Sequence, residues 1–294
     1  MDSAISIEQI GQRMKAFRLG AGMTPEELAK RTGVSRAAIY RYESGQPPRV
    51  DTLSIIAEQL GVSLTTLLGV GIEYIPSSVA FFERMRQLEE TVEQVSVLFG
   101  PISYLLTTDY YDELLPLVLE ESIPEDVADR AQALQDIDTL MGILRARKAA
   151  YRERAPGVVT LVSAAELEQY LRIGFVGRYR PPKVNLEARR EAARVEIEHI
   201  VRMLREQPIG TQIGVVVDST PSTSFQVFKQ ADQTHVAVSP FRLGIFANIR
   251  LGVATITSAP EAVELYSKIT NQLWQRSLKG EQAADFIETR ITGR

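Results

Sequence analysis

Cysteine is absent from this chain of 294 residues, tryptophan occurs once and histidine only twice. Without thiols there is no disulfide, no thiolate redox sensor and no cysteine-ligated zinc. The histidines, His199 on an expected helix and His235 on an expected strand, lack the paired spacing of a catalytic metal site. Both are expected as packing or surface residues. A phosphate-binding glycine loop, a dinucleotide fingerprint after a strand and a nucleophile elbow are also missing. Asp218, Ser219 and Ser222 follow a strand, but nothing in their spacing composes a hydrolase motif with His235. The expectation is therefore no enzyme, no metal and no cofactor. No apolar run approaches the roughly 20 residues of a membrane span. Met1-Asp2-Ser3 shows neither the basic region nor the apolar core of a signal peptide, so a cytoplasmic location without a membrane partner is expected.

Hydrophobic residues make up 45% and charged residues 24%, an ordinary globular balance for a chain long enough to form about two domains. The most informative stretch runs from residue 24 to 61. Thr24 precedes Pro25 at a first helical position, with Glu26 and Glu27 in the first turn, and Thr24 to Glu27 has capping-box spacing. Gly33 supplies the left-handed residue that ends this helix, and Ser35 caps the next. Gly45 and the prolines Pro47 and Pro48 stop that second helix sharply. Ile10, Met14 and Phe17 from an earlier helix (about Ile7 to Leu19), with Leu28, Ala29, Val34, Ile39, Leu53, Ile56, Ala57 and Leu60, form the expected small core.

In these elements residues 7–69 resemble the phage-repressor (Cro-like, or XRE) helix-turn-helix family of bacterial transcription regulators. The resemblance is carried by Leu28-Ala29, Gly33-Val34-Ser35, Ile39, Glu43-Ser44-Gly45, Pro48, Leu53, Ala57 and Leu60-Gly61-Val62-Ser63. It implies an all-α five-helix DNA-binding bundle whose recognition helix is about Ser35 to Ser44, with Arg36, Ala37 and Tyr40 facing base edges. It also implies a structural pair between Arg18 and Glu43. Where Pro25 stands the family often has a glutamine that touches the DNA backbone and braces the reading side chains. Its loss leaves phosphate anchoring to the backbone of that helix start, Thr24, Lys30 and Arg49.

The same roles follow from chemistry. An arginine such as Arg36 makes paired hydrogen bonds to guanine O6 and N7, and Ala37 suits a thymine methyl. Tyr40 and Arg41 lie one turn beyond Arg36 and Ala37 on the same face. Ser35 completes the candidate contact set of Thr24, Lys30, Ser35, Arg36, Ala37, Tyr40, Arg41 and Arg49. Residues 1–70 hold eight basic and seven acidic side chains, a net +1. So weak a positive charge excludes a polyelectrolyte coating. It points to a few positioned phosphate contacts and two copies of the reader on a partly palindromic operator.

The expected organisation is a DNA-binding domain over 1–72, a hinge and connecting helix over 73–100, and a C-terminal domain over 101–294. Gly69 to Ser78 reads as the hinge. Phe81, Met85, Leu88, Val92, Val95 and Phe99 then repeat at alternating intervals of four and three, a stripe suited to self-pairing or to packing on the C-terminal domain. Charge segregates beyond it. Residues 101–144 carry ten acids against Arg130 alone, a net −9, and residues 145–205 carry fourteen basic against seven acidic residues, a net +7. Pairing between the blocks is the plainer account. The sharper one is an anionic effector site around Arg145, Arg147, Lys148, Arg178, Arg180 and Lys183.

The C-terminal part reads as a helix-rich α/β (α+β) domain with a mixed or antiparallel sheet. Helices are expected over about 124–155, 164–173 and 185–206, with strands at 158–162, 213–218, 225–229, 235–239, 245–249 and 253–257. A last helix starts at Pro260, breaks near Lys279-Gly280 and continues to about Thr289. This order is similar to the C-terminal regions that serve sensing and assembly in larger Cro-like regulators, and it transfers no ligand or residue. The expected function is a homodimeric, sequence-specific transcriptional regulator with a domain for assembly and small-molecule sensing. The alternatives are an antitoxin-like module that binds a partner protein, and a reader attached to a small-molecule enzyme.

Overall fold

A computed structural model describes residues 7–46, 48–98, 100–181, 184–218 and 220–293. The chain opens with five helices, α1 (Ile7–Gly20), α2 (Pro25–Thr32), α3 (Arg36–Glu43), α4 (Val50–Gln59) and α5 (Leu64–Leu68). Thr24, Ser35 and Ser63 each accept a backbone N–H of the following first turn, which fixes where α2, α3 and α5 begin. Ile10, Met14, Phe17, Leu28, Ala29, Ile39, Leu53, Ile56, Ala57, Leu60 and Leu67 are buried, with Val34 packed against them. The expected five-helix bundle forms with the expected core.

The chain continues through β1 (Ile72–Ile75), α6 (Ser78–Glu89), β2 (Gln94–Leu98), α7 (Asp109–Glu121), α8 (Arg130–Arg154), β3 (Gly157–Ser163), α9 (Ala164–Ile173) and α10 (Leu186–Glu206). Then come β4 (Thr211–Val216), β5 (Ser224–Lys229), β6 (Thr234–Ser239), β7 (Ala254–Thr257), α11 (Pro260–Arg276), β8 (Leu278–Lys279), α12 (Gly280–Phe286) and a π-helical turn, Ile287–Thr292. The strands form one mixed sheet of eight in the order β1-β7-β6-β5-β2-β3-β4-β8. Strands β2, β3 and β4 are parallel, and the other pairings are antiparallel. Alternation along the strands divides the burial. Val95, Val97, Val158, Ile213, Phe228 and Ile256 join the main core with α6 to α10. Leu98, Leu161, Val216, Phe225, Val227 and Val236 face the other way, under Val263, Tyr266, Ile269, Leu273 and Trp274 of α11.

Several expectations are corrected. Gly69 to Ser78 is not a hinge, because residues 72–75 pair with β7 as an outer strand of the sheet. The helix expected to run to residue 99 ends at Glu89, and residues 94–98 are β2, seated between β5 and β3. Arg154 stops α6 by donating to the carbonyls of Glu89 and Val92. Val95 and Val97 alternate along β2, and their β-branched shape favours that extended backbone. Phe81, Met85, Leu88, Val92 and Val95 are therefore buried within their own chain and leave no free seam for self-pairing. Phe99 lies outside the described residues. The helix expected from Pro124 begins at Arg130, where Asp129 caps it. Residues 245–249 form a loop rather than a strand, because Phe246 takes a positive φ of 52° and the Asn248 side chain ties the loop to the carbonyls of Pro240 and Leu251. Helix α7, inside the acidic block, was not expected at all.

The helical bundle is welded to the sheet domain. A Cβ on Gly20 would stand 2.6 Å from that of Ala80, so α1 and α6 approach as closely as glycine permits. Beneath this contact the buried Glu73 carboxylate of β1 accepts from Arg13 Nε of α1 at 2.7 Å and from Arg84 Nε and Nη2 of α6 at 2.9 Å each. Arg84 also donates to Gln87, whose amide reaches the Gln12 carbonyl at 3.0 Å. Burial alone would raise the Glu73 carboxyl, but the guanidiniums of Arg84 and Arg13 outweigh it and hold it at about 2. His235 of β6 sits in the field of the same arginines. Burial, then Arg84, push its imidazole down to about 4.

Both shifts make the fold acid-sensitive. The His235 imidazole charges at about 6.5 when unfolded and about 4 when folded, so stability falls as pH drops through that window, by up to about 3 kcal/mol. Glu73 adds a second loss between about 4.3 and 2, where the unfolded carboxyl binds its proton first. Urea unfolding at stepped pH should show both losses, and His235→Gln should flatten the upper one. Glu73→Ala strands two buried guanidiniums and should cost roughly 3–5 kcal/mol at neutral pH. A loss below 1 kcal/mol would show that the weld does not depend on this carboxylate.

Candidate nucleic-acid interface

The turn between α2 and α3 is built by local chemistry. Thr24 Oγ1 accepts from the Glu27 amide at 3.2 Å while the Glu27 carboxylate accepts from the Thr24 amide at 2.7 Å, closing the capping box. These hydrogen bonds to the charged form hold the Glu27 carboxyl below its ordinary range. Gly33, at φ 71°, ends α2, and Ser35 Oγ accepts from the Ala38 amide at 3.1 Å to begin α3. Arg18 locks the far end of α3. Its Nε and Nη2 donate to the Glu43 carboxylate at 2.6 and 2.9 Å, and its Nη1 donates to the Met23 carbonyl at 2.8 Å. The pair implied by the family resemblance is present, buried and structural.

Helix α3 is thus held by one side. Ala38 and Ile39 are buried and Tyr42 is partly buried against the core. The opposite side, Ser35, Arg36, Ala37, Tyr40 and Arg41, is exposed, with Tyr40 at 46%, too open to be a cover for the core. Thr24, Lys30 and Arg49 are exposed as well, and Arg49 lies 3.7 Å from Asp51 in an ion pair. Arg36 is held by contacts on two sides. Its Nη1 lies 2.6 Å from Glu26 Oε1, its Nη2 donates to the Tyr40 hydroxyl at 3.1 Å, and its guanidinium carbon stands 5.4 Å from the Tyr40 ring centre. The Tyr40 hydrogen bond, then Glu26, raise the Arg36 pKa further, so it is charged throughout the usable pH range.

Glu26 was absent from the sequence-based contact set. The signal was present in the doublet Glu26-Glu27: the capping box engages only the second acid. The first, about 100° round the helix, is left for another partner.

The six residues expected at an anion site do not converge. Arg147 is buried in a paired contact with Glu89, at 2.7 and 2.9 Å, and Lys148 is buried against Asp112, Thr107 and the Thr108 carbonyl. Both are internal ion-pair partners, because the face of α8 that carries them packs inward. Arg145 is exposed on α8, and Arg180 is exposed beside the Tyr179 ring. Arg178, paired with Glu125, borders an open cleft of about 720 Å³ that Glu120, Glu121, Arg130 and Arg189 also line. Lys183 lies outside the described residues. Among the described residues, buried His235 has no partner for Nδ1, and its position opposite Phe228 puts it at the other end of β5 from Ser222.

No curated protein matches the chain. Among solved structures, a protein described as TrmBL2, an archaeal chromatin protein showing a novel mode of DNA binding, aligns over 91% of this chain and 93% of its own. The identity is 10% and the TM-score 0.33, which does not establish a common fold. Residues 14–67 match the helix-turn-helix family model, and this span holds the capped turn, α3 and the Arg18–Glu43 lock described above. Those residues form a helix-turn-helix domain of the Cro-like (XRE) type.

Proposed function

We infer that the chain is a sequence-specific DNA-binding transcriptional regulator that works as a homodimer on a partly palindromic operator. The observation that carries this reading is the outer face of α3. It offers a charged guanidinium, a methyl and a phenol hydroxyl outward from a helix fixed at both ends by buried or capped groups. A major groove accepts such a helix, and one bundle of this size covers one half-site. Lys30, Arg49 and the amides at the start of α2 serve as phosphate anchors, which suits a region carrying a net charge of only +1 over residues 1–70.

The sheet domain supplies assembly and reception of a small ligand rather than catalysis. Because the α6 stripe is buried, self-association uses another surface. Because β1 and α6 are welded to the bundle, a ligand acts by altering how two whole subunits sit relative to each other. The division into reader and sheet domain at about residue 72 is then functional rather than mechanical.

Arg36→Ala should cost about 1–3 kcal/mol on the preferred duplex and relax one base position. Arg49→Ala should weaken all duplexes alike and shallow the salt dependence by about one phosphate contact. Fluorescence anisotropy on cognate and scrambled duplexes across a salt series measures both. Equal loss on the two duplexes for Arg36→Ala would remove α3 from base reading. Sedimentation equilibrium should give twice the chain mass, and a monomer on a single half-site would overturn the dimeric operator.

A further inference from the structure

Glu26 stands on the surface that meets DNA in this reading, where a carboxylate is repelled by phosphates. Its side chain is 49% exposed and lies 2.6 Å from Arg36, whose side chain is 59% exposed. The carboxylate is not needed for the helix start, which the Thr24–Glu27 box already secures. Nor does so exposed a pair contribute much stability. Its geometry does have a counterpart in DNA.

Across the major groove a G·C pair presents guanine N7 and O6 as acceptors and then cytosine N4–H as a donor. A guanidinium beside a carboxylate presents two donors and then an acceptor, the complementary order. Read in the same direction, C·G presents donor, acceptor, acceptor, and A·T and T·A both present acceptor, donor, acceptor. Only one orientation of one base pair satisfies the triplet. We propose that Arg36 and Glu26 read a single G·C pair together, the guanidinium on guanine O6 and N7 and the carboxylate on cytosine N4–H. This rests on the reading of α3 as the recognition helix.

The remaining contacts fit that arrangement. Tyr40 holds the guanidinium from the side away from Glu26, through its hydroxyl and ring. Arg36 has five N–H donors, and the observed contacts at Nη1 and Nη2 leave others to face the bases. On any other base pair the Glu26 carboxylate loses water and finds no donor at its own position in the triplet, so the pair rejects wrong sequences as well as binding the right one. The charge of Glu26 thus adds to selectivity where it subtracts from affinity for phosphate.

The test uses the full chain and a duplex selected from a random-sequence pool, with every single base-pair variant measured. Arg36→Ala and Glu26→Ala should relax the same G·C position, each by roughly 5- to 100-fold, and the double variant should lose no more than the worse single one. Replacing that cytosine with N4-methylcytosine keeps base pairing and sets a methyl where the groove-facing N–H stood. It should weaken the wild type and leave Glu26→Ala nearly unaffected. If Glu26→Ala tightens all duplexes alike, or relaxes a different position, or if the methyl group costs both proteins equally, the shared reading is overturned. An Arg36→Ala variant that relaxes a G·C position untouched by Glu26→Ala defeats this pair alone. An Arg36→Ala variant that relaxes no position defeats the reading of α3 and the pair with it.

Discussion

One carboxylate, Glu73, determines how the parts of this chain are disposed. It belongs to β1 of the sheet, and it is gripped by Arg13 from the helical bundle and by Arg84 from the first helix after it. Two buried guanidiniums without an anion would be strongly unfavourable, and one buried carboxylate without a cation equally so. The three are therefore tolerable only together, and their meeting fixes α1, β1 and α6 in one arrangement. The close approach of Gly20 to Ala80 and the reach of Gln87 to the Gln12 carbonyl follow from that placement. The apolar core is then continuous, from Ile10 and Met14 through Phe81 and Phe82 to the sheet at Val158.

The reader was legible in the sequence because its determinants are local. A capping box, a glycine at positive φ and a serine cap each act within four residues, and the family resemblance adds the Arg18–Glu43 lock across a longer separation. Most strands after residue 157 were legible for a similar reason, since runs of Val, Ile and Phe favour extended backbone wherever they fall. Sequence and structure diverge where local pattern and tertiary pairing disagree. A short strand preceded by glycines and followed by a proline reads as a hinge until β7 is known to lie beside it. The four-and-three spacing from Phe81 to Val95 suits a helix, yet its second half is claimed by two neighbouring strands, β3 and β5. Helix α7 is hard to read within the acidic block because the many charges mask its inward side, Tyr111, Leu115, Val118 and Leu119.

The charge blocks illustrate the same limit from the other direction. Composition shows that residues 101–144 and 145–205 carry opposite charge, without saying whether they meet. In the fold they do: Asp109 pairs with Arg152, Asp112 with Lys148, Glu121 with Arg189 and Glu125 with Arg178. Four of the fourteen basic residues in the second block are thereby paired with acids of the first. An anionic ligand at Arg147 or Lys148 would have to displace a buried intramolecular partner, Glu89 or Asp112, from a site already desolvated. Only Arg178, at the rim of the open cleft, retains much exposure among the paired members of the expected set.

These two features constrain how the proposed regulator responds to a signal. A reader tethered by a flexible hinge would be controlled by freezing or releasing the hinge. This bundle has no such freedom, because separating it from the sheet exposes the Glu73 group and splits a continuous core. In the proposed homodimer each subunit would meet DNA as one body, and the spacing and angle between two α3 helices would be properties of the subunit interface. Half-sites lie about one helical turn apart, roughly 34 Å, so a small rotation between subunits is magnified at the reading helices. The proposed joint reading by Arg36 and Glu26 sharpens this dependence. A three-point pattern of donors and acceptor tolerates less misplacement than a single contact, so orientation between subunits changes selectivity along with affinity.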